Sequence, residues 1–159
     1  MFFVALGTQK FQFNRLLQMI DQLLADGKIA EPVFAQIGNS DYEPRNFQYA
    51  SFLDKNEFEK KIRECDVLIT HSGVATIIEG LKNDKKVIVV PRLAKYGEHV
   101  DDHQVQIAES FSKQNYVIMC TENDKLEELI IKAKHHEFAK YISQRRQMVK
   151  TIEDFLEKI

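Results

Sequence analysis

The residues with the clearest chemical potential lie where a predicted strand turns into a predicted helix. Val67 to Ile69 form a short apolar run typical of a buried strand, and apolar residues recur at helical spacing from Val74 onward. Ser72 and Gly73 occupy the turn, so the first free N–H groups of the helix have no bulky side chain in front of them. Such a helix N-terminus is a natural phosphate-binding site.

Glu79 extends this hypothesis along the same helix. It follows Ser72 by seven residues, which corresponds to about two helical turns and roughly 10 Å of rise at nearly the same angular position. A diphosphate at Ser72 and Gly73, attached to a ribose whose hydroxyls meet the Glu79 carboxylate, fits this span. A capped helix with a solvated glutamate has the same pattern, so both interpretations stay open.

Composition restricts the class of protein. With 159 residues, of which 44% are hydrophobic, we expect one domain over residues 1–159. The net charge of -2 and the lack of a long single-sign block disfavour a general nucleic-acid surface. We expect neither a signal peptide nor a membrane-spanning segment. Cys65 and Cys120 lack CxxC spacing and are predicted to be reduced packing residues in a cytosolic setting.

Strand and helix patterns alternate along the chain. Strands are predicted at Phe2–Leu6, Val33–Ile37, Phe47–Phe52, Val67–Ile69, Lys86–Val90 and Tyr116–Cys120. Helices are predicted at about 13–24, 56–64, 74–81, 101–114 and 126–133, and a long amphipathic segment follows at 137–159. The alternation predicts a Rossmann-like, three-layer α/β domain with a parallel sheet of about six strands. Ligands of such sheets bind outside the carboxyl ends of the strands.

The loops at those strand ends carry further candidates. Gly7 and Thr8 could bring backbone N–H groups to a phosphate, with Lys10 supplying charge, although a plain tight turn uses the same residues. A GxGxxG fingerprint is absent from this turn, so a dinucleotide cofactor is not expected. Phe52 and Leu53 could offer an apolar wall and backbone groups to a base edge, although an aromatic residue here is more often part of the core. His71 is a candidate catalytic base or a structural hydrogen-bonding residue.

A polar segment with two histidines leads into a later helix. His99 and His103 have acidic neighbours, but there is no HExxH pattern and His99 is expected to precede the helix, so no metal site is predicted. His103 and Gln104 suit hydrogen bonds to sugar hydroxyls, because imidazole and amide groups supply both donors and acceptors. An exposed polar first turn is the alternative.

Taken together, these motifs resemble the nucleotide-sugar-binding, C-terminal half of GT-B glycosyltransferases, of the glycosyltransferase family 28 C-terminal type. The chain is similar to free-standing versions of that half: the cytosolic catalytic subunit of the two-part dolichol-pathway UDP-GlcNAc transferase, and bacterial subunits of two-part capsule and exopolysaccharide transferases, including β-1,4-galactosyltransferases. The order and spacing of six segments carry the resemblance: Leu6–Gln9, Gln36–Gly38, Phe52–Leu53, His71–Gly80, Val89–Pro91 and Asp102–Gln104, which leads on to Ala108 and Glu109.

The resemblance implies a role for each matched position. The residues expected at the nucleotide and its phosphates are Gly7, Thr8, Gln9, Leu53, His71, Ser72, Gly73, Val74 and Glu79. The residues expected at the donor sugar are Asp102, His103 and Gln104. Glu79 would bind the ribose, and the backbone around Leu53 would read uracil. Thr8 and Gln9 match the first loop of the family, although this chain has one glycine there where the large enzymes have two.

The resemblance also implies a split enzyme. The chain is too short to hold the second Rossmann-like domain that binds the acceptor, so a membrane-associated partner would supply it and is a candidate source of the general base. The sugar of a UDP-sugar would be transferred with inversion to a lipid-linked saccharide in capsule or exopolysaccharide synthesis. The leaving UDP would be stabilised by the helix N-terminus and nearby cations, with neither metal nor cofactor. The chain would lie in the cytoplasm, peripheral to the inner face of the membrane.

Other functions stay open at this point. The chain could be a non-catalytic enhancer of a partner glycosyltransferase, or a UDP-sugar epimerase, although its length argues against the latter. The donor sugar is undecided between GlcNAc and galactose, since His103 and Gln104 can satisfy either C4 epimer. The terminal amphipathic segment is a candidate for docking on the partner, in which case Ile152→Asp should abolish binding; packing on its own sheet is the alternative.

Overall fold

The structure, a computed structural model, describes residues 1–141, 152, 153, 155 and 156, and shows an α/β fold. The strands are Phe2–Ala5 (β1), Val33–Gln36 (β2), Gln48–Ala50 (β3), Val67–Thr70 (β4), Lys86–Val89 (β5) and Ile118–Met119 (β6). The helices are Asn14–Ala25 (α1), Lys55–Glu64 (α2), Val74–Lys82 (α3), His103–Lys113 (α4) and Leu126–His135 (α5). A short 3-10 helix covers Ala94–Tyr96. The strand order is β3-β2-β1-β4-β5-β6, and every pair is parallel.

The central strands are buried on both faces, which explains why they read as continuous apolar runs. In β1, Phe2 and Val4 point into the cluster that contains the apolar faces of α1 and α5. Phe3 and Ala5 point to the opposite face, which is covered by α3, α4 and Ile62 of α2. Helices therefore cover both faces of the sheet, and the prediction of a three-layer, Rossmann-like fold with six parallel strands is confirmed.

Apart from β4, which extends one residue further than predicted, the predicted strands are longer than the observed ones, above all at the two edges of the sheet. The strand expected at Phe47–Phe52 is limited to Gln48–Ala50, and the strand expected at Tyr116–Cys120 to Ile118–Met119. Each edge strand has one neighbour in the sheet, so few hydrogen bonds hold its ends. Phe52 lies beyond β3 with 52% of its surface exposed.

The start of α4 also differs from the prediction. The helix was expected from Asp101 and begins at His103. The side chain of Asp101 accepts a hydrogen bond from the His103 N–H at 3.0 Å, which places Asp101 ahead of the first helical turn.

The terminal segment packs on the domain itself at the residues the structure describes. Residues 137–141 are not helical, whereas Ile152, Glu153, Phe155 and Leu156 are. Ile152 is 3% exposed and belongs to the cluster beneath α3 and α4, where Leu156 also packs. The predicted helix over 142–151 lies outside the described residues. Ile152→Asp would therefore place a charge in the core, and it cannot serve as a test of docking. No helix among the described residues is long and apolar enough to cross a bilayer.

Candidate functional site

A cleft of about 420 Å³ opens at the carboxyl ends of β1, β2 and β4. Its wall includes seven of the residues predicted to bind nucleotide: Gly7, Thr8, Gln9, Leu53, His71, Gly73 and Val74. It also includes five residues outside that set: Gln36, Lys55, Phe58, Ala75 and Thr76. Parallel strands end at one edge of the sheet, and that common edge brings together loops that are distant in sequence.

The N-terminus of α3 forms one side of this cleft. Gly73 is the N-cap, and no side chain caps the helix there. The N–H groups of the first turn are therefore available to a ligand, and Val74, Ala75 and Thr76 all line the cleft. Ser72 is 1% exposed, and its Oγ finds no hydrogen-bond partner among the described residues. This end of α3 has the donors and the dipole that an anion requires.

Gln104 fixes the hydrogen-bonding role of His71. The Oε1 atom of Gln104 accepts the N–H of Arg92 at 2.9 Å and the N–H of Ser72 at 3.2 Å. Two backbone donors define the orientation of the amide, so the Gln104 Nε2 group faces His71 Nδ1, at 3.1 Å. His71 Nδ1 must accept this hydrogen bond. A neutral His71 then carries its proton on Nε2.

His71 is held in its neutral form. Burial, together with the nearby charges of Arg92 and His99, lowers the pKa of His71 from 6.5 to about 3. His71 is therefore a neutral N–H donor at physiological pH. A general base would need an unprotonated Nε2, so this geometry opposes the role of catalytic base and favours a donor to a ligand in the cleft.

Two glycines leave room around His71 Nε2. A Cβ atom added to Gly7 would lie 2.5 Å from Nε2, and one added to Gly73 would lie 2.6 Å from it. Gly7 also has a φ of +78°, which L side chains rarely adopt. Because Gly7 and Gly73 have no side chains, the backbone turns after β1 and β4 can lie directly against the imidazole.

A buried guanidinium ties the first loop to the loop after β5. Arg92 is 1% exposed and donates to the carbonyl groups of Phe11 (3.0 Å), Gln12 (3.3 Å), Glu98 (3.2 Å) and Leu6. Burial lowers the pKa of Arg92 to about 10, so the side chain keeps its charge at neutral pH. Because the carbonyls of the first loop turn inward toward Arg92, this loop is fixed beside the cleft.

A second buried charge, that of Glu98, stabilises the loop after β5. Glu98 is 1% exposed and accepts hydrogen bonds from Arg15 Nε and Nη2, both at 3.0 Å, and from the N–H of Leu93 at 2.9 Å. Arg92 and Glu98 are charged residues in loops, where exposure is the usual expectation, and sequence reasoning missed both.

Several residues predicted to bind the donor have polar groups that already contact other residues of the protein. The N–H of Leu53 is occupied by Gln36 Oε1 at 2.9 Å. Glu79 is half-buried outside the cleft wall, and Asn83 Nδ2 lies 3.4 Å from its Oε1. Gln104 is 4% exposed, with its amide atoms bonded inside the protein. The roles of these residues in reading uracil, binding ribose and contacting the sugar stay predictions.

The remaining residues predicted at the sugar lie near the start of α4. Asp102 lines a separate groove of about 430 Å³ between α4 and the loop after β5, and its Oδ1 accepts the N–H of Ala94 at 2.9 Å. His103 is partly exposed, and its Nδ1 lies 3.2 Å from Asp101 Oδ2. Among the described residues, no group of three or more His, Cys, Asp or Glu side chains is arranged to hold a metal ion. The expectation of a metal-free site stays a prediction.

The fold matches that of the C-terminal half of solved GT-B structures. An NMR solution structure of ALG13 superimposes with a TM-score of 0.60 at 19% identity, covering 96% of each chain. MurG of Acinetobacter baumannii superimposes with a TM-score of 0.54 at 17% identity, covering 98% of this chain and 49% of that one. At these identities the likeness shows the fold.

Sequence comparison gives the family. The family described as "Glycosyltransferase family 28 C-terminal domain" matches residues 1–159, and the chain belongs to it. The "UDP-N-acetylglucosamine transferase subunit ALG13" of Candida albicans is 30% identical over 111 residues, which are 70% of this chain and 34% of that protein. The subunit of the same name from Mus musculus is 24% identical over 131 residues, covering 75% of this chain and 10% of that protein. The chain thus spans about a third or less of these relatives.

Proposed function

We propose that this chain is the donor-binding catalytic subunit of a two-component inverting glycosyltransferase. It would move a hexose or N-acetylhexosamine from a UDP-sugar to a lipid-linked saccharide in capsule or exopolysaccharide synthesis. The observation that carries the proposal is the convergence of two sets of neutral donors on one cleft. These are the uncapped N-terminus of α3 and the Nε2–H of His71 between Gly7 and Gly73.

This donor arrangement suits a leaving diphosphate. As the bond between the anomeric carbon and the diphosphate breaks, negative charge grows on the phosphate oxygens. Fixed N–H groups and the positive end of a helix stabilise that charge without rearranging. The buried charge of Arg92 lies behind the first loop and adds a positive potential close enough to depress the pKa of His71. These groups would do the work that a metal ion does in other transferases.

The rest of the reaction requires a second component. An acceptor-binding, membrane-associated partner would present the lipid-linked saccharide to the open side of the cleft and hold this chain at the inner face of the membrane. The names of the relatives support a partner, since each is described as a transferase subunit. The choice between GlcNAc and galactose depends on groups around the start of α4.

A binding cycle tests the nucleotide site and the role of Glu79 together. Calorimetric titration should show UDP binding to the wild-type chain, with Glu79→Ala weakening it roughly 10- to 150-fold, as expected for loss of about 1.5–3 kcal/mol in charged hydrogen bonds. The same substitution should have little effect on 2′,3′-dideoxy-UDP, which lacks the hydroxyls. Glu128→Ala, at an exposed position on α5, is the matched control. Equal losses for both ligands, or no UDP binding by the wild type, would contradict the proposal.

A turnover assay separates catalysis from the alternative of a non-catalytic enhancer. The chain is co-expressed with its partner, and transfer from UDP-GlcNAc and from UDP-galactose to lipid is followed with labelled sugar. A catalytic subunit loses transfer in Glu79→Ala in proportion to its loss of UDP affinity at low donor concentration. An enhancer would raise the activity of the partner equally well with Glu79 intact or removed.

A further inference from the structure

A carboxylate between two histidines lies just ahead of α4, and the donor site described above does not use it. Asp101 Oδ1 is 3.1 Å from His99 Nδ1, and Asp101 Oδ2 is 3.2 Å from His103 Nδ1. The side chain of His99 is 17% exposed and that of His103 is 34% exposed. The backbone N–H of His103 also donates to Asp101 Oδ1, at 3.0 Å, and this contact fixes the carboxylate.

The carboxylate sets the tautomer of His99. An ionised aspartate accepts hydrogen bonds and cannot donate them, so the 3.1 Å contact requires a proton on His99 Nδ1. The N–H of Asp101 also points at this nitrogen, but at 3.5 Å it is the longer contact. A neutral His99 therefore has its lone pair on Nε2. This polarity is opposite to that of His71, which carries its proton on Nε2.

His99 lies beside the loop that lines the donor cleft. Its ring packs on Phe11, with the centroids 5.6 Å apart. Arg92 binds the carbonyl group of Phe11 and also the carbonyl group of Glu98, the residue before His99. One buried side chain therefore fixes both the first loop and the segment that carries His99.

We propose that His99 is the general base of the transfer and that Asp101 positions it. This inference rests on the proposed function. The acceptor hydroxyl oxygen attacks the anomeric carbon and forms the new C–O bond, while the bond to the diphosphate breaks and its electron pair leaves with UDP. The hydroxyl proton passes to His99 Nε2. The resulting imidazolium is stabilised by the Asp101 carboxylate on its other nitrogen.

The arrangement gives the two histidines complementary roles. His71 donates Nε2–H to the diphosphate of the donor, which gains negative charge, and His99 offers a lone pair on Nε2 to the acceptor hydroxyl, which loses its proton. Each polarity is set by the group bound to Nδ1: an amide donor for His71 and a carboxylate acceptor for His99. The base would then belong to this chain, and the partner would supply acceptor binding.

Kinetics of the co-expressed complex test the role of His99. With the UDP-sugar that supports transfer to lipid, His99→Gln should lower kcat by roughly 10²- to 10⁴-fold, the usual contribution of a general base, and leave the Kd for UDP within about twofold. Asp101→Asn should lower kcat by at least about tenfold at unchanged KM for the donor. His135→Gln, at an exposed position on α5, is the control. A kcat within about threefold of wild type in a His99→Gln protein that still binds UDP would overturn the inference.

Nitrogen NMR of the histidine rings gives a readout that needs no turnover. In ¹⁵N-labelled wild-type chain at neutral pH, His71 should be the Nε2-protonated tautomer and His99 the Nδ1-protonated tautomer, and Asp101→Asn should shift His99 toward Nε2 protonation. An Nε2-protonated His99 in the wild type would overturn the inference even if the chain binds UDP. Failure of the wild type to bind UDP would instead count against the proposed function.

Discussion

Substituting Gly73 by alanine should weaken UDP binding without straining the backbone. Gly73 has a φ of -89°, which alanine adopts freely, yet its new Cβ would lie 2.6 Å from His71 Nε2. The imidazole cannot simply move away, because Gln104 holds its other nitrogen. The methyl group therefore occupies the space into which His71 Nε2–H would donate. Loss of a hydrogen bond to a charged group costs about 1.5–3 kcal/mol, or roughly 10- to 150-fold in Kd.

Two further glycines separate occlusion of the cleft from backbone strain. Gly7→Ala combines both effects, since φ is +78° and its Cβ would lie 2.5 Å from His71 Nε2. Gly27→Ala has the strain alone, because φ is +71° and nothing lies within 4 Å of its Cβ. Strain of this kind costs roughly 1–2 kcal/mol of stability.

Calorimetry with UDP and urea denaturation measure the two effects independently. Gly73→Ala should lose UDP affinity and some stability, because its Cβ overlaps an imidazole that is held in place. Gly27→Ala should lose stability alone, and Gly7→Ala should lose both. If the folded Gly73→Ala protein binds UDP with an affinity within twofold of wild type, His71 Nε2–H is not a hydrogen-bond donor to the phosphates.

Three other changes probe the network behind the cleft. Gln104→Glu puts a carboxylate against His71 Nδ1 and forces the proton off Nε2, so calorimetry should show UDP affinity falling about tenfold or more while uridine is unaffected. Since burial depresses the pKa of His71 to about 3, below pH 6.5 the unfolded chain binds a proton that the folded chain does not. The free energy of unfolding should therefore fall as the pH drops from 6.5 toward 3, by up to about 1.4 kcal/mol per unit in urea melts, and this part of the slope should vanish in His71→Asn. Arg92→Met removes the partner of four inward-facing carbonyl groups and should cost about 3–5 kcal/mol of stability in urea melts, whereas Lys60→Met, in an exposed pair with Glu64, should stay within about 0.5 kcal/mol.

The fold was predictable because its signals are local and repeated. Each central strand is a short apolar run buried on both faces, and each helix has one apolar stripe, so their alternation leads directly to a parallel sheet. Ligands of parallel sheets bind at the carboxyl ends of the strands, and this rule alone predicts that Gly7, Leu53 and Gly73 share one edge of the sheet. The ends of β3 and β6 were less predictable, since an edge strand ends where pairing with its single neighbour ends.

The hydrogen-bond network inside the site was not predictable in the same way. His103 and Gln104 are neighbours at a helix start and look alike as sugar ligands, yet Gln104 is 4% exposed and contacts residues more than ten positions away in sequence. A buried Arg92 contradicts the usual exposure of arginine. Both depend on contacts between loops after different strands. The sequence pattern of a single loop does not contain this information.

The identity of residue 104 follows from the bonds it has to make. Its side chain must accept from two backbone N–H groups, those of Ser72 and Arg92, and donate to His71 Nδ1. A carboxylate would satisfy the first requirement and fail the second, and a hydrocarbon would fail both; among side chains of this length the amide meets both. Because that donation leaves His71 Nε2 protonated, one amide buried behind the strand ends determines that His71 presents an N–H donor, and not a lone pair, to the cleft. The same reasoning makes Gln104→Glu more damaging to diphosphate binding than its size suggests, since it reverses the polarity of the imidazole while preserving the shape of the site.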